Sequence, residues 1–461
     1  MSLHIDDEPP PPWSWIPARV VARNVLAPIE RFLASRSASS VLLLGAAALA
    51  LAWANSPWSA SYAALWETPL GLRCGTLAFE RSVGWWINDG LMAIFFFVVG
   101  LEIRREIHGG ALADLRRAAL PLAAALGGMI APALLYACLN QGRPALDGWG
   151  IPMATDIAFA IGVLALLGGR APPALRVLLL ALAVIDDVGA ILVIAFFYSS
   201  GIQLAGLAVL AGGVIVVLAL RALGVRSAWG YVVPGIAVWS GAYAGGIHPT
   251  IAGVILGLLA PVRAWWGEPE FTPRVLRHVA AFGAARDEHG RLVELDRLRV
   301  TTLEAVSPAE RLQHRLHGWF AFFIMPLFAL ANAGVTLGSA EFTSDGVRLF
   351  GGITLGLVAG KLVGIVSFAW LAVRFRIAAL PAGVSWRGVL VVGLVAGIGF
   401  TMSLFIANLA LPQGPLLETA KLAILAGSCV AAVLAIVVGR LALAPPREPE
   451  AARAVERPRI H

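Results

Sequence analysis

The sequence predicts an all-α polytopic membrane protein, on three observations. Of 461 residues, 59% are apolar and only 14% are charged, whereas a soluble domain is about half apolar and a quarter charged. The mean hydropathy is +0.80. The apolar residues fall into long runs, and a bilayer-spanning helix needs about 20 of them in succession. These features exclude a secreted domain, a soluble enzyme and a disordered chain. The formal charge of +7 implies no nucleic-acid partner, because no basic stripe lies on a soluble module.

Twelve apolar stretches are expected to span the lipid bilayer, at about 40–56, 85–104, 118–138, 150–168, 174–198, 203–221, 229–243, 247–262, 317–336, 349–373, 387–410 and 417–440. Arginine placement fixes their direction. Arg19, Arg23, Arg31 and Arg36 precede the first span, and Arg104, Arg105, Arg116 and Arg117 follow the second. Arg170, Arg176, Arg221, Arg226, Arg263 through Arg315, Arg374, Arg376, Arg387 and the tail arginines share that side. The other side holds only Arg73, Arg81, Arg143 and Arg348. Positive charge stays inside, so both termini are expected in the cytoplasm and an even number of spans is needed.

The N-terminus, MSLHIDDEPPPPW, lacks the basic-then-apolar pattern of a cleaved signal. Residues 1–35 are expected as a polar cytoplasmic tail containing an interfacial helix from Ala18 to Ala34. Residues 36–443 form the membrane domain. Its outer loop, 57–83, holds GLRCGTLAFE, which suits a small hairpin and makes the loop the candidate homodimer contact. Within the domain, 264–315 mixes Arg with Asp and Glu and reads as a charged cytoplasmic insert, a solvated helical hairpin. Residues 444–461 read as a disordered cytoplasmic tail. Cys74, Cys138 and Cys429 form no CxxC pair or metal pattern, and no cofactor is expected.

Charges inside the apolar runs carry the functional signal. A charged group at mid-bilayer costs about 2.5–3.5 kcal/mol on insertion scales. The inventory is Asp89, Glu102, Asp156, Asp186, Asp187 and Lys361, with Lys421 near a span end. Asp186 and Asp187 lie in LLLALAVIDDVGAILVIAFF, close to the midplane. Successive helical residues point about 100° apart, so one carboxylate can face a cavity and the other a neighbouring helix. Two adjacent carboxylates cannot both ionise cheaply, and such a pair can hold a proton or a hard cation such as Na⁺.

Asp156 lies in GWGIPMATDIAFAIGVLALLG. Pro152 interrupts the helix before it, Thr155 adds a hydroxyl and a carbonyl, and irregular backbone at membrane depth is tolerated where it lines a cavity. A second interruption is expected at Gly393, Gly397 and Gly399, with Thr401 and Ser403 following. Lys361 is one of only two lysines among 35 basic residues. A lysine can give up its proton where an arginine cannot, so a mid-span lysine points to a site that needs an amine, although a fixed counter-charge would meet the same need.

The chain resembles bacterial sodium/proton antiporters of the NhaA type. The segments that carry the likeness are WINDGLMAIFFFVVGLEIRREI, GWGIPMATDIAFAIGVLALLG, ALAVIDDVGAILVIAFFY, GIHPTIAGV, LANAG and VAGIGFTMSLFIA, between about residues 40 and 440. The resemblance implies twelve transmembrane helices, two of them broken and crossing near the midplane, in the inverted-repeat fold that this family itself exemplifies. It implies exchange of Na⁺ (or Li⁺) for H⁺ by alternating access, electrogenic and pH-regulated, in the bacterial inner membrane. Asp187 would be the main cation ligand with Asp186 beside it, and Thr155 would lie at the first break. Asp156 would offset helix-end charge there, and Lys361 would pair with Asp186. Glu102, Arg104, Arg105, Glu106, His248, His314 and His317 would form the pH-sensing cytoplasmic region or its supports, and Asp89 matches a family acid on the second span. This chain reads GKLVG where the family usually has GKPLG, and carries Gln313 where an acid is common.

Three rivals are weaker on residues alone. A channel would want a continuous polar lining. An organic-anion symporter would lack the paired aspartates. A membrane enzyme would carry HExxH, GxSxG or a phosphate loop.

Overall fold

The computed structural model describes residues 38–443, except 75–76, 111, 142–143, 200, 226, 337 and 339–342. The two expected tails and the interfacial helix Ala18 to Ala34 lie outside the described residues.

The chain starts with α1 (Ala38–Ala54) and turns by 114° into α2 (Ser59–Glu67). An antiparallel hairpin of β1 (Pro69–Cys74) and β2 (Leu77–Ser82) follows, pairing Pro69 with Ser82. It falls on the expected GLRCGTLAFE and is the only sheet among the described residues. Ser82 caps the next helix by accepting from Trp85 N–H, a usual N-cap role for serine. A π-helical turn, Trp86–Leu91, leads into α3 (Met92–Gly109). Next comes α4 (Leu115–Leu139), capped by Asp114.

A 3₁₀ segment, Ala145–Met153, then meets α5 (Ile157–Ala165) at 44°. Pro172 and Pro173 open α6 (Pro173–Phe197), where a missing N–H is no loss. Then come α7 (Leu204–Ala222), α8 (Val232–Ala244) and α9 (Pro249–Leu259). The charged segment folds as α10 (Glu268–Ala284) packed on α11 (Glu288–Glu304), a helical hairpin as read. The chain continues through α12 (Pro308–Trp319), a π turn at Phe320–Ile324 and α13 (Met325–Asn332). The last elements are α14 (Ser344–Leu355), a π turn at Gly356–Gly360, α15 (Lys361–Arg374), α16 (Trp386–Ala396), α17 (Phe400–Ala410) and α18 (Pro415–Ala442). Helices α16 and α17 meet at 46°.

Six of these helical segments are long and apolar enough to cross a membrane, and nine are if each bent pair counts as one span. The expected stretches 229–243, 247–262 and 317–336 are helical too, but shorter or interrupted. The 11 residues of α9, for instance, extend only about 16 Å. The protein is an all-α, multi-pass membrane protein.

Two glycine seams set its packing. A Cβ at Gly253 would strike the Ala93 carbonyl, so α9 lies directly on α3. A Cβ at Gly364 would strike the Gly127 carbonyl, and one at Gly360 would lie 2.7 Å from Pro132 Cα, so α15 lies directly on α4. Close approach of this kind is how membrane helices associate without a hydrophobic driving force. Between the seams, a large apolar core holds Phe96, Tyr136, Leu182, Phe328, Val391 and Phe405.

Candidate functional site

The two helix breaks meet. Residues 154–156 run extended between the 3₁₀ segment and α5, and 397–399 separate α16 from α17. Asp156 N–H donates to the Ile398 carbonyl at 2.7 Å. A Cβ at Gly397 would strike the Leu357 carbonyl, and one at Gly399 would crowd the Ala154 carbonyl at 2.9 Å. Glycine therefore lets one break pass against the other.

Asp156 is buried at this crossing and caps two helices at once. Its Oδ1 accepts from Phe159 N–H in α5 at 3.0 Å. Its Oδ2 accepts from Thr401 N–H in α17 at 3.1 Å and from the Thr401 hydroxyl. Each helix N-terminus carries roughly half a positive charge, and one carboxylate faces both. Ser403 donates to the Ile151 carbonyl at 2.7 Å, a further tie across the crossing.

Asp186 and Asp187 sit midway along α6, and both are buried. Asp186 Oδ2 forms an ion pair with Lys361 Nζ. The Thr155 hydroxyl lies 2.6 Å from that same oxygen and 2.9 Å from the Ala396 carbonyl, and it accepts from Lys361 at 2.8 Å. Lys361 is 0% exposed. The α4–α15 seam carries it in, with its stem beside Gly128, where a Cβ would lie 3.7 Å from Lys361 Cδ. The helix runs on unbroken from Lys361 through GKLVG.

Asp187 is different. It is 2% exposed, and its Oδ2 accepts no hydrogen bond from any described residue; nor does Asp186 Oδ1. An isolated carboxylate in an apolar interior is costly unless it is protonated or meets a cation. The arrangement is therefore one compensated aspartate, one uncompensated aspartate and a lysine, at the point where two helices are interrupted.

The other expected residues divide into two places. On α3, Arg105 lies 4.0 Å from Glu102 and 3.3 Å from Glu106, and the Arg104 Nε is buried and makes no hydrogen bond to any described residue. Helix α12 joins this end through Ala309 packed with Leu101 and Ala260, and carries His314 and His317, both exposed. His248 does not belong to this group as expected. It lies 3.4 Å from Asp89 through Nε2 and bonds the Thr250 hydroxyl at 2.8 Å through Nδ1. Because α9 runs alongside α3, this pair sits roughly 20 Å along the helix axis from Glu102. A histidine at the start of α9 meets the start of the α3 span, not its end.

Sequence reasoning singled out Thr401 only as a residue after a break, and missed that it holds Asp156. It missed Asn88, Asn332 and Asn408 altogether; their signal was an amide in an otherwise apolar run.

A family model described as Na⁺/H⁺ antiporter 1 matches residues 30–438. The chain belongs to that family. The Na⁺/H⁺ antiporter NhaA 2 of Sorangium cellulosum is 55% identical over 443 residues, 94% of each chain. The protein of the same name from Myxococcus xanthus is 54% identical, over 97% of this chain and 96% of the relative. The Na⁺/H⁺ antiporter NhaA of Bordetella petrii is 48% identical over 92% of each. The family's members are named as transporters, not enzymes, and this chain is a multi-pass bacterial membrane protein among them.

Proposed function

We propose that this chain exchanges Na⁺ (or Li⁺) for protons across the bacterial inner membrane. Family membership supports the pair of ions. The observation that carries the mechanism is Asp187, a buried carboxylate with an unpartnered oxygen beside an aspartate already neutralised by Lys361. Na⁺ and H⁺ compete for that carboxylate, with the free oxygen of Asp186 and the oxygen of Thr155 within the same cluster. Alternating access presents the site to one side and then the other. Asp156 holds the breaks together by meeting their positive ends, and Lys361 answers the charge on Asp186.

The remaining parts of the reading extend from this centre. Twelve crossings with both termini in the cytoplasm agree with the arginine bias. Glu102, Arg104, Arg105 and Glu106, with His314 and His317 on α12, tune the pH response at the cytoplasmic end, while Asp89 and His248 act at the other. Electrogenic exchange is part of this proposal on the family resemblance alone. The hairpin of loop 57–83 is the contact of a homodimer.

The experiment is dissipation of a pH gradient in everted membrane vesicles on adding Na⁺, from mildly acidic to alkaline pH, with Li⁺ and K⁺ for comparison. Exchange with Na⁺ and not K⁺ is expected. A current without proton movement would establish a channel instead.

A further inference from the structure

Three buried or half-buried asparagines from three separate elements form a single chain of hydrogen bonds. Asn408 of α17 donates to Asn332 Oδ1 at 2.9 Å, and Asn332 of α13 donates to Asn88 Oδ1 at 2.8 Å. The second amide hydrogen of each donor is used as well. Asn408 bonds the Leu404 carbonyl at 3.0 Å and Asn332 the Phe328 carbonyl at 2.9 Å, both four residues back in their own helices. Asn332 is 5% exposed, and both of its amide hydrogens and its oxygen are engaged. In such surroundings a polar chain fixes geometry, because any loosened member leaves a buried group unpaired.

The chain matters because of what α17 carries. Thr401, Phe405 and Asn408 are spaced at i, i+4 and i+7, which places them on one face of the helix. Thr401 holds Asp156 at the first turn. Phe405 packs in the middle, with ring centroids 5.6 Å from Phe96, 5.6 Å from His248 and 6.3 Å from Phe328. Asn408 is tied to Asn332 at the last turn. The helix is a rod of about 16 Å that begins at a glycine break, so its direction depends on what holds its far end. That holder lies outside both broken pairs: Asn332 ends α13, and Asn88 sits in the π turn before α3.

We propose that Asn332 is a positioning residue of the exchange site, fixing α17 through Asn408 and thereby setting Thr401 against Asp156. The proposal rests on the exchange reading given above for its transport readout. Asn332 touches none of the reacting groups and acts only through the rod.

The test uses the full chain with Asn408→Ser, Asn332→Ala and Thr401→Val, alone and in pairs. Serine at 408 can still bond the carbonyl four residues back but falls short of Asn332, so this variant spares the fold of α17 itself. Everted vesicles give the half-saturating Na⁺ concentration and the maximal rate. Purified protein gives hydrogen–deuterium exchange at amides 397–404. Asn408→Ser and Asn332→Ala are each expected to raise the half-saturating Na⁺ concentration about fivefold, the worth of a hydrogen bond, with the maximal rate held. The pair together adds nothing further, and neither adds to Thr401→Val, since all act along one connection. Exchange at 397–404 quickens in Asn408→Ser. Additive effects, or a fall in protein amount and maximal rate at constant half-saturation, would reduce the asparagines to a structural role and overturn the proposal. If the parent moves no protons on adding Na⁺, the exchange reading fails, and amide exchange at 397–404 still decides whether the tie holds the rod.

Discussion

Asp156 and Ile398 are joined backbone to backbone, N–H to carbonyl at 2.7 Å, so the two interrupted helices share a hydrogen bond at their breaks. The side chain of the same aspartate then caps both following half-helices. Asp156→Ala should remove two caps at once and lower stability by about 2–4 kcal/mol. Asp156→Asn should lose less, because an amide offers one oxygen to donors that now meet two. Thermal unfolding in detergent checks the order: parent, then Asn, then Ala. Equal stability of all three would dissociate the carboxylate from the crossing.

Asp187 Oδ2 accepts no hydrogen bond from any described residue. Asp187→Asn is therefore expected to fold as the parent does and to abolish exchange, since an amide cannot take up and release a proton. Asp186→Asn should cripple exchange or change the protons moved per cation. If both ions use the Asp187 site, apparent Na⁺ affinity rises with pH, about tenfold per unit while one proton is displaced. A parent protein whose Na⁺ affinity is flat with pH rules out the shared site, whatever the variants do.

Lys361→Ala strands the Asp186 carboxylate in the interior, and breaking a buried pair in this way costs about 3–5 kcal/mol. Lys361→Arg keeps the positive charge and should retain more folded protein, but it removes an amine able to release its proton. The expected result is an altered proton-to-sodium ratio in the arginine variant, read from proton and sodium fluxes in the same vesicles. An unaltered ratio would make Lys361 a fixed counter-charge.

Glu102 and Glu106 lie on either side of Arg105, at the opposite end of α3 from the His248–Asp89 contact. Neutralising either, as Glu102→Gln or Glu106→Gln, should move the pH profile of exchange and leave activity at some pH. Loss at every pH with a normal amount of protein would put them in the ion path.

In the α10–α11 hairpin, the His278 ring bonds Glu294 at 2.9 Å, and Arg297 adds a second contact at 2.7 Å. The histidine bond first, then the Arg297 charge and bond, hold the Glu294 carboxyl below its ordinary value of 4.5. A lowered carboxyl stabilises the folded hairpin at pH above that ordinary value, and the contribution is lost as pH falls through the lowered one. Spin labels on the two helices should therefore keep their separation at neutral pH and spread in acid. Glu294→Gln should remove that acid dependence.

What could be read in the sequence was what a bilayer makes expensive. Asp186, Asp187 and Lys361 stood out because charge in an apolar run demands a reason. The breaks stood out because Pro152 and the glycines 397 and 399 oppose a regular helix. The strand pair in loop 57–83 followed from its local pattern. Contacts made by packing were not legible. Thr401 and Asp156 stand 245 positions apart, and no local pattern says that one will hold the other. The family resemblance puts His248 with the cytoplasmic charges, whereas the parallel run of α9 along α3 takes it to Asp89. The asparagines were invisible for a plainer reason: one uncharged amide in an apolar run is tolerable alone, and its meaning comes only from its neighbours.

The near absence of lysine gives the chain an unusual handle. Lys361 is buried beside the helix crossing and Lys421 rests 3.0 Å from Glu418 at the start of α18, and the sequence holds no other side-chain amine. Amine-directed reagents, which spread over dozens of sites on an ordinary protein, have two side-chain targets here. The Lys421 side chain is 12% exposed, so reductive methylation reaches it from the surface, and Lys361 only when water and reagent enter the crossing. The ratio of the two modifications is then a clock for how often the centre of the protein opens, started and read without any engineered label.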